Sequence, residues 1–259
     1  MGFHGLNKAM PRAAAEAAGR ADDGPRYALY YAPVAESALW AFGCGILGYD
    51  AECGADMPIA PPAGIEAAFW HDMRRKPAGY GFHGTLKAPF RLDPAYDEAM
   101  LLAAVTALAG SCPPFELPAL ELSIAGDFFA LVPSAPAPEM NALARRAVLE
   151  LDRFRAPLTE ADRRRRNPHQ LTPRQRILLE AHGYPFVLEE FRFHMTLTGA
   201  VTEGMREDVG RALAAAYAEC RASSALMVQD IAVFRQEGSG QPFRLLQRFA
   251  LADMACMVA

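Results

Sequence analysis

The chain has 259 residues, of which 52% are hydrophobic and 22% are charged, and its formal net charge is −4 at pH 7. These values match those of ordinary globular proteins and exclude a disordered or fibrous chain. The acidic balance argues against a nucleic-acid footprint over the whole surface, and no apolar run reaches the roughly 20 residues of a membrane-spanning helix. We therefore expect neither a nucleic acid nor a membrane as the main partner.

The N-terminal segment and the cysteines indicate the cellular compartment of the protein. Segment 1–25 lacks the apolar stretch of a secretory signal and precedes the first strand-like run, so we expect a flexible N-terminal tail. The five cysteines are scattered without a C-x-x-C pair, which is typical of reduced thiols. A cytoplasmic location is expected.

The first third of the chain predicts a strand, a helix and a second strand. Segment 26–33, RYALYYAP, is aromatic and apolar and is closed by a proline, as in a buried strand. Segment 36–48 has apolar residues at helical spacing and ends in a glycine. A proline-rich connection and the basic stretch HDMRRKPAGYG then lead to a predicted strand over 81–90, GFHGTLKAPF.

The middle of the chain predicts two helices that flank a hairpin. Segment 93–110 begins with an aspartate cap and a proline at the first helical position, and it ends in a glycine. Segment 115–134 alternates polar and apolar residues around Gly126-Asp127, the pattern of a hairpin. Segment 137–155 is a second helix, and a basic loop and helix follow over 163–185.

The last third repeats this order. A predicted strand over 192–201, RFHMTLTGAV, is followed by a helix over 203–222 and a hairpin over 225–251. Each histidine-containing strand thus precedes a helix and then a hairpin, which indicates an internal structural duplication. The expected fold is α+β, with two pseudo-symmetric lobes of mostly antiparallel sheet covered by helices and a cleft between them.

The two histidine-containing strands carry the same short motif, FHGTL at 82–86 and FHMTL at 193–197. Side chains alternate across a strand, so each motif presents an imidazole and a hydroxyl on one face. If the lobes pack about a two-fold axis, these two faces meet in one cleft. The residues expected on that face are His83, Thr85 and Lys87 in the first strand and His194, Thr196 and Thr198 in the second.

Such a cleft suits a phosphodiester. One of His83 and His194 accepts a proton while the other donates one, since the histidine pKa allows both forms near neutral pH. The hydroxyls of Thr85 and Thr196 would hold phosphate oxygens. No cofactor is needed, and the expected spacing of a zinc site is missing. Further candidates for substrate binding are Lys87, Arg192, Thr198 and Tyr80.

The motifs His83-Gly84-Thr85-Leu86 and His194-Met195-Thr196-Leu197 resemble the paired H-x-[ST] signature of the 2H phosphoesterase superfamily. Segments 26–33, 79–92 and 184–199 also look like a branch of that superfamily described as phosphonate-metabolism proteins with an uncharacterised domain. The resemblance extends from residue 26 to about residue 251.

The resemblance implies a bilobal phosphoesterase-like domain over 26–259, with the motif 83–86 in the first lobe and 194–197 in the second. It implies a metal-independent enzyme that opens small cyclic phosphodiesters, such as ribose or nucleotide cyclic phosphates, and catalysis by both histidines. The branch implies a link to phosphonate catabolism. The expected partner is a small anionic phosphodiester.

Other interpretations stay open on sequence alone. The repeated motif is also compatible with a duplicated core pattern, with a module that binds phosphorylated ligands or RNA ends, or with an enzyme that processes 2′,5′ linkages in RNA. The run Arg163–Arg166 is either a solvated loop or a basic rim over the cleft. The basic stretch before His83 has the same two interpretations.

Overall fold

In a computed structural model, residues 24–59, 61–220 and 225–253 are described. Most of the expected N-terminal tail, residues 1–23, lies outside this part of the chain. The strands are β1 Arg26–Tyr31, β2 Tyr49–Asp50, β3 Ala55–Asp56, β4 Gly84–Arg91, β5 Ser111–Cys112, β6 Phe115–Leu117, β7 Leu120–Ala125, β8 Phe128–Pro133, β9 Met195–Thr196, β10 Leu226–Val228, β11 Asp230–Gln236, β12 Arg244–Ala250 and β13 Ala252–Asp253.

The α-helices alternate with these strands, so the α+β class is confirmed. The helices are α1 Ala38–Leu47, α2 Ala67–Ala78, α3 Glu98–Gly110, α4 Pro138–Leu151, α5 Glu160–Arg165, α6 Pro173–His182 and α7 Arg206–Glu219. Short 3₁₀ turns cover Asp152–Phe154, Pro168–Gln170, Leu188–Glu190 and Glu203–Met205.

A seven-stranded antiparallel sheet forms the frame of the protein, in the order β12-β11-β1-β4-β9-β8-β7. The strands β4 and β9 meet in its centre and belong to the two halves of the predicted duplication. The two halves are thereby joined into one sheet. Strand β9 covers only two residues, so most of the strand expected over 192–201 is irregular backbone.

Each predicted hairpin forms, but it completes the half of the sheet that holds the other histidine motif. The hairpin β7–β8 turns at Gly126-Asp127 and pairs with β9. The hairpin β11–β12 pairs with β1, which pairs with β4. Strand order in a sheet depends on non-local edge pairing, so local patterns in the sequence do not reveal this exchange.

The helix ends follow the predicted capping chemistry with one shift. Helix α1 ends at Gly48, which has the left-handed conformation (φ 68°) expected of a glycine cap. Helix α3 begins at Glu98 and is capped by the side chain of Asp97 rather than by the first aspartate of the predicted segment. Asp93 instead accepts a hydrogen bond from the backbone N–H of Ala95, at 2.9 Å, in the turn that precedes the helix.

Helices cover the sheet and bury one large core, beside a small second cluster of Val148, Leu178 and Val187. Helix α3 packs against β11 and β12, α4 against β4, and α7 against β7. Among the described residues, no helix has the length and apolar character needed to cross a bilayer. Among the cysteines in this part of the chain, Cys44, Cys53 and Cys112 are free thiols.

Candidate active site

The two histidine motifs lie side by side in the centre of the sheet. Gly84 is the register partner of Met195 in the antiparallel pair β4–β9. Extending this register by one residue places His83 opposite Thr196 and Thr85 opposite His194. The second motif also packs directly on the first, because a Cβ on Gly84 would lie 2.4 Å from the ring of Phe193.

Both imidazoles are held in the same way by the backbone. The Nδ1 atom of His83 lies 2.9 Å from the carbonyl oxygen of Gly81, and Nδ1 of His194 lies 2.8 Å from that of Arg192. A carbonyl only accepts, so Nδ1 carries the proton in both rings. In the neutral form, each Nε2 is therefore an unprotonated acceptor. This arrangement, a carbonyl two residues before each histidine, was not predicted from the sequence.

The environment of His83 favours its neutral form. Its ring stacks on that of Tyr30, with a centroid separation of 3.6 Å and an interplanar angle of 18°. Burial, together with the nearby His194, lowers the pKa of His83 to about 4, against the opposing effect of the Gly81 carbonyl. His83 Nε2 lies 3.1 Å from the hydroxyl of Thr85, which donates to it when the ring is neutral.

A cleft of about 390 Å³ opens over the two motifs. His83, Thr85, His194 and Thr196 all line it, as the strand alternation predicts. Thr198 lines it as well, although its hydroxyl is already an acceptor for the backbone N–H of Phe129, at 2.9 Å, and the residue is 1% exposed. The structure therefore brings together both imidazoles and three hydroxyls.

Lys87 does not share this face, so that prediction is wrong. Leu29 is the register partner of Lys87 and Tyr30 is that of Thr85, so β4 contains one extra residue between these pairs. This bulge turns Lys87 to the opposite face of the sheet. There its Nζ lies 3.0 Å from Asp152, and the side chain is 3% exposed.

The guanidinium of Arg192 is also outside the cleft, contrary to prediction. It donates to the carbonyl oxygens of Glu189 and Phe191, at 2.9 and 2.6 Å, and the residue is exposed. The contribution of Arg192 to the site is its own carbonyl oxygen, which holds His194.

The cleft is bordered by Tyr80 and by parts of both basic segments. Tyr80 lines it, and its ring stacks on Phe243 at a centroid separation of 5.4 Å. Lys76, from the stretch before His83, and Arg166, the last residue of the arginine run, line it too. Arg163 instead forms ion pairs with Glu180 and Glu160 on the surface, so only part of the run borders the cleft.

Several cleft residues were not predicted. Phe128 lies at the hairpin turn, and its ring is 5.7 Å from that of His194. Asp127 precedes it, and Arg26 and Tyr184 come from β1 and from the loop after α6. These side chains reach the site through pairings between distant segments, and the sequence carries no local signal for them. Tyr30 was expected in the buried first strand, and it also lines the cleft.

Comparison with known proteins identifies the family. A family model described as "Protein of unknown function (DUF1045)" matches residues 85–244. The chain belongs to the DUF1045 family. The matched span includes the second histidine motif and the first hairpin, and it ends at the first residue of β12.

Two curated relatives of this DUF1045 protein carry the name "Ribose 1,5-bisphosphate phosphokinase PhnN". The protein of Janthinobacterium sp. (strain Marseille) is 34% identical over 226 residues, which cover 86% of this chain and 50% of the relative. That of Laribacter hongkongensis (strain HLHK9) is 36% identical over 220 residues, which cover 85% of this chain and 50% of the relative. The chain spans about half the length of these relatives.

One solved structure with a similar fold is a crystal structure of E. coli LigT complexed with 3′-AMP. Its sequence identity to this chain is 15% and the TM-score is 0.43. The alignment covers 87% of this chain and 97% of LigT. Another is a structure titled "Crystal structure of phosphoesterase", at 16% identity and a TM-score of 0.40, covering 88% and 98% of the two chains. The residues of the cleft, rather than these distant likenesses, carry the functional proposal.

Proposed function

We propose that this protein is a metal-independent phosphoesterase that opens a small cyclic phosphodiester, with His83 and His194 as the acid–base pair. The observation that carries the proposal is the shared anchoring of the two rings. Each Nδ1 is bonded to a backbone carbonyl, and both histidines line one cleft together with Thr85 and Thr196. Two oriented imidazoles supply a proton acceptor and a proton donor without help from a metal.

We infer the roles of the two rings from their surroundings. His83 is neutral at pH 7 because burial lowers its pKa to about 4, so it is the general base. His194 is then the general acid, which supplies from Nε2 the proton that the leaving oxygen takes up. Its ring lies against Phe128 and not in a tight stack like that of His83 on Tyr30.

The proposed reaction is a hydrolysis. Water attacks phosphorus and loses a proton to Nε2 of His83, while the bond from phosphorus to one sugar oxygen breaks. That oxygen takes a proton from Nε2 of His194, and the product is a phosphate monoester. Substrate binding redirects the Thr85 hydroxyl from His83 Nε2, which is 3.1 Å away, to a phosphate oxygen, and this leaves Nε2 ready to accept a proton. Thr196 binds another phosphate oxygen.

The relatives support a phosphorylated ribose as the substrate class. Their name refers to a ribose bisphosphate, and the sequence resemblance implies phosphonate catabolism. We do not assign their kinase activity to this chain, because none of its three lysines follows a glycine, as the G-x-x-x-x-G-K-[ST] loop of many phosphokinases requires. We place the reaction in the cytoplasm, where free thiols such as those of Cys44 and Cys112 persist.

A panel of cyclic phosphates tests the proposal. Ribose 1,2-cyclic phosphate and nucleoside 2′,3′-cyclic phosphates are incubated with the protein, with and without EDTA, and the monoester products are measured. We expect turnover of at least one ring and no effect of EDTA. Loss of activity in EDTA that zinc or manganese restores would identify a metal hydrolase. Binding without turnover of any member would leave a module that only holds phosphorylated ligands.

A further inference from the structure

A second cavity of about 230 Å³ opens beside the catalytic cleft and shares a wall with it. The residues that line both spaces are Arg26, Lys76, Tyr80, Pro89 and Arg166. Because the wall is shared, a single small molecule bound in the cleft is in position to extend into the second cavity.

Cationic side chains dominate the lining of this second cavity. Six of its lining residues are lysine or arginine, and Asp162 is the single carboxylate among them. A cavity lined by an excess of positive charge raises the local concentration of anions. The cationic residues are Arg26, Lys76, Arg91, Arg155, Arg165 and Arg166.

Three of these cations already have carboxylate partners. Arg91 and Arg165 both bind Asp162, at 3.2 and 2.6 Å, so one carboxylate serves two guanidinium groups. Arg155 forms two hydrogen bonds with Asp152, at 3.0 and 3.1 Å. Asp152 and Asp162 are therefore already paired with these three arginines.

The other three cations stand at the wall between cavity and cleft. Within the described part of the chain, Arg26, Lys76 and Arg166 form no ion pair with an aspartate or glutamate. Arg166 lies over the ring of Tyr184, 4.7 Å from its centroid. We call these three residues the shared basic wall.

Arg26 illustrates the excess of positive charge at this wall. Its register partner in the sheet is Arg91, and like charges directly opposite each other in neighbouring strands are destabilising. Its Nε donates to the neutral side chain of Gln236, at 2.6 Å, and burial lowers its pKa. A partly buried guanidinium without a counter-ion lowers the free energy of unfolding, and a bound anion removes that cost.

We propose that the shared basic wall binds a phosphate monoester carried by the same molecule whose cyclic phosphodiester lies between His83 and His194. The identity of that molecule rests on the proposed function. A monoester fits because it carries between one and two negative charges and three acceptor oxygens, which two guanidinium forks and an ammonium satisfy together. The substrate class is therefore a small sugar with one cyclic and one terminal phosphate.

Binding to the full chain tests the monoester site without requiring turnover. Ribose 5-phosphate and ribose are titrated by calorimetry into the wild type and into the Arg26→Gln, Arg166→Gln and Arg163→Gln variants. We expect ribose 5-phosphate to bind at least tenfold more tightly than ribose, and each of the first two changes to remove most of that difference. Arg163→Gln is the matched control, because Arg163 belongs to the same arginine run but pairs with Glu180 on the surface.

Equal binding of the two sugars, or an equal loss in the Arg163→Gln control, would overturn the proposal. Thermal melting of each variant verifies that it is folded, and Arg166, which lies in a loop after α5, supplies a variant that leaves the sheet intact.

Turnover separates this inference from the proposed function. The ratio of kcat/KM for ribose 1,2-cyclic phosphate with and without a 5-phosphate is expected to exceed ten in the wild type, to fall at least tenfold in Arg26→Gln and to persist in Arg163→Gln. A wild-type ratio near one contradicts the monoester site even if both compounds are hydrolysed. If neither is hydrolysed, the proposed function fails, while the calorimetric comparison still decides the site. If kcat/KM for an RNA with a 2′,3′-cyclic end exceeds that for the 5-phosphorylated ribose cyclic phosphate, the shared basic wall binds an RNA backbone instead.

Discussion

Gly84 of the first histidine motif lies directly opposite Met195 of the second, where β4 pairs with β9. The two residues occupy the same position of the repeated motif, so an approximate two-fold axis passes between them. Their side chains differ because the space over Gly84 is filled by the ring of Phe193. Because Gly84 has no side chain, the ring of Phe193 from the second motif packs directly on the backbone of the first motif.

Replacing Gly84 with alanine is expected to destabilise the protein and to separate the two motifs. The new Cβ would lie 2.4 Å from the Phe193 ring, which requires a shift of that ring or of β9. Overpacking of this kind costs about 1–3 kcal/mol. Urea denaturation measures the loss, and a Phe193→Leu change in the same chain is expected to restore part of it, because the two substitutions share one contact. Additive effects of the two changes would contradict this relationship.

Either histidine replaced by alanine is expected to lower kcat on a cyclic phosphate by about 10²–10⁴-fold, since each ring moves a proton in the proposed step. The fold should persist, because both side chains line an open cleft. Thermal melting and circular dichroism check the fold, and a His71→Ala variant is the control, since His71 is exposed and lies outside the cleft. Full activity in the double variant of His83 and His194 would contradict the assignment.

The sequence was sufficient for features that depend on neighbours along the chain. The repeated F-H-x-T-L motif placed His83 and His194 in one site, and apolar spacing with capping residues located the main helices and hairpins. Thr198 and Tyr80 also line the cleft as predicted. The sequence was insufficient where distant strands meet. The exchange of the hairpins and the arrival of Arg26 beside Arg91 both depend on sheet order.

Lys87 shows a second limit. Alternation along a strand holds only while the ladder is regular, and the bulge that turns Lys87 away depends on its pairing with Leu29 in β1. A single added residue therefore places Lys87, a candidate for substrate binding, in a buried ion pair with Asp152.

A Lys87→Met change separates the structural role of this residue from a catalytic one. It removes a cation that is 3.0 Å from Asp152 and 3% exposed, but Asp152 keeps its bonds to Arg155. The free energy of unfolding is expected to fall by about 1–3 kcal/mol, less than for a carboxylate left alone. Urea denaturation measures this change, while kcat/KM on a cyclic phosphate is measured well below the melting temperature. A large fall in kcat/KM with unchanged stability would return Lys87 to the site.

The pH dependence of kcat/KM is expected to show an acidic limb near pH 4. The pKa of His83 is lowered to about 4, so the ring stays neutral, and able to accept a proton, until the pH falls to that value. Between about pH 6.5 and 4 the unfolded chain binds a proton at His83 that the folded chain does not, so the free energy of unfolding falls as the pH falls. A His83→Gln variant should lose this part of the pH dependence of stability. An acidic limb at the ordinary histidine pKa would show that the ring is not desolvated.

Tyr30 is expected to position His83 through its ring and not through its hydroxyl. The two rings stack at 3.6 Å, whereas the Tyr30 hydroxyl is buried and has no hydrogen-bond partner in the described part of the chain. Tyr30→Phe keeps the stack and should leave kcat within about threefold of the wild type, since it deletes an unpaired polar group. Tyr30→Leu removes the flat surface that orients and dehydrates the imidazole. It should lower kcat at least tenfold and move the acidic limb of kcat/KM upward toward the ordinary pKa of histidine. A general loss of stability would lower activity without moving that limb, so the pH profiles of kcat/KM are compared between the two variants. Coincident profiles would show that the Tyr30 ring does not position or desolvate His83.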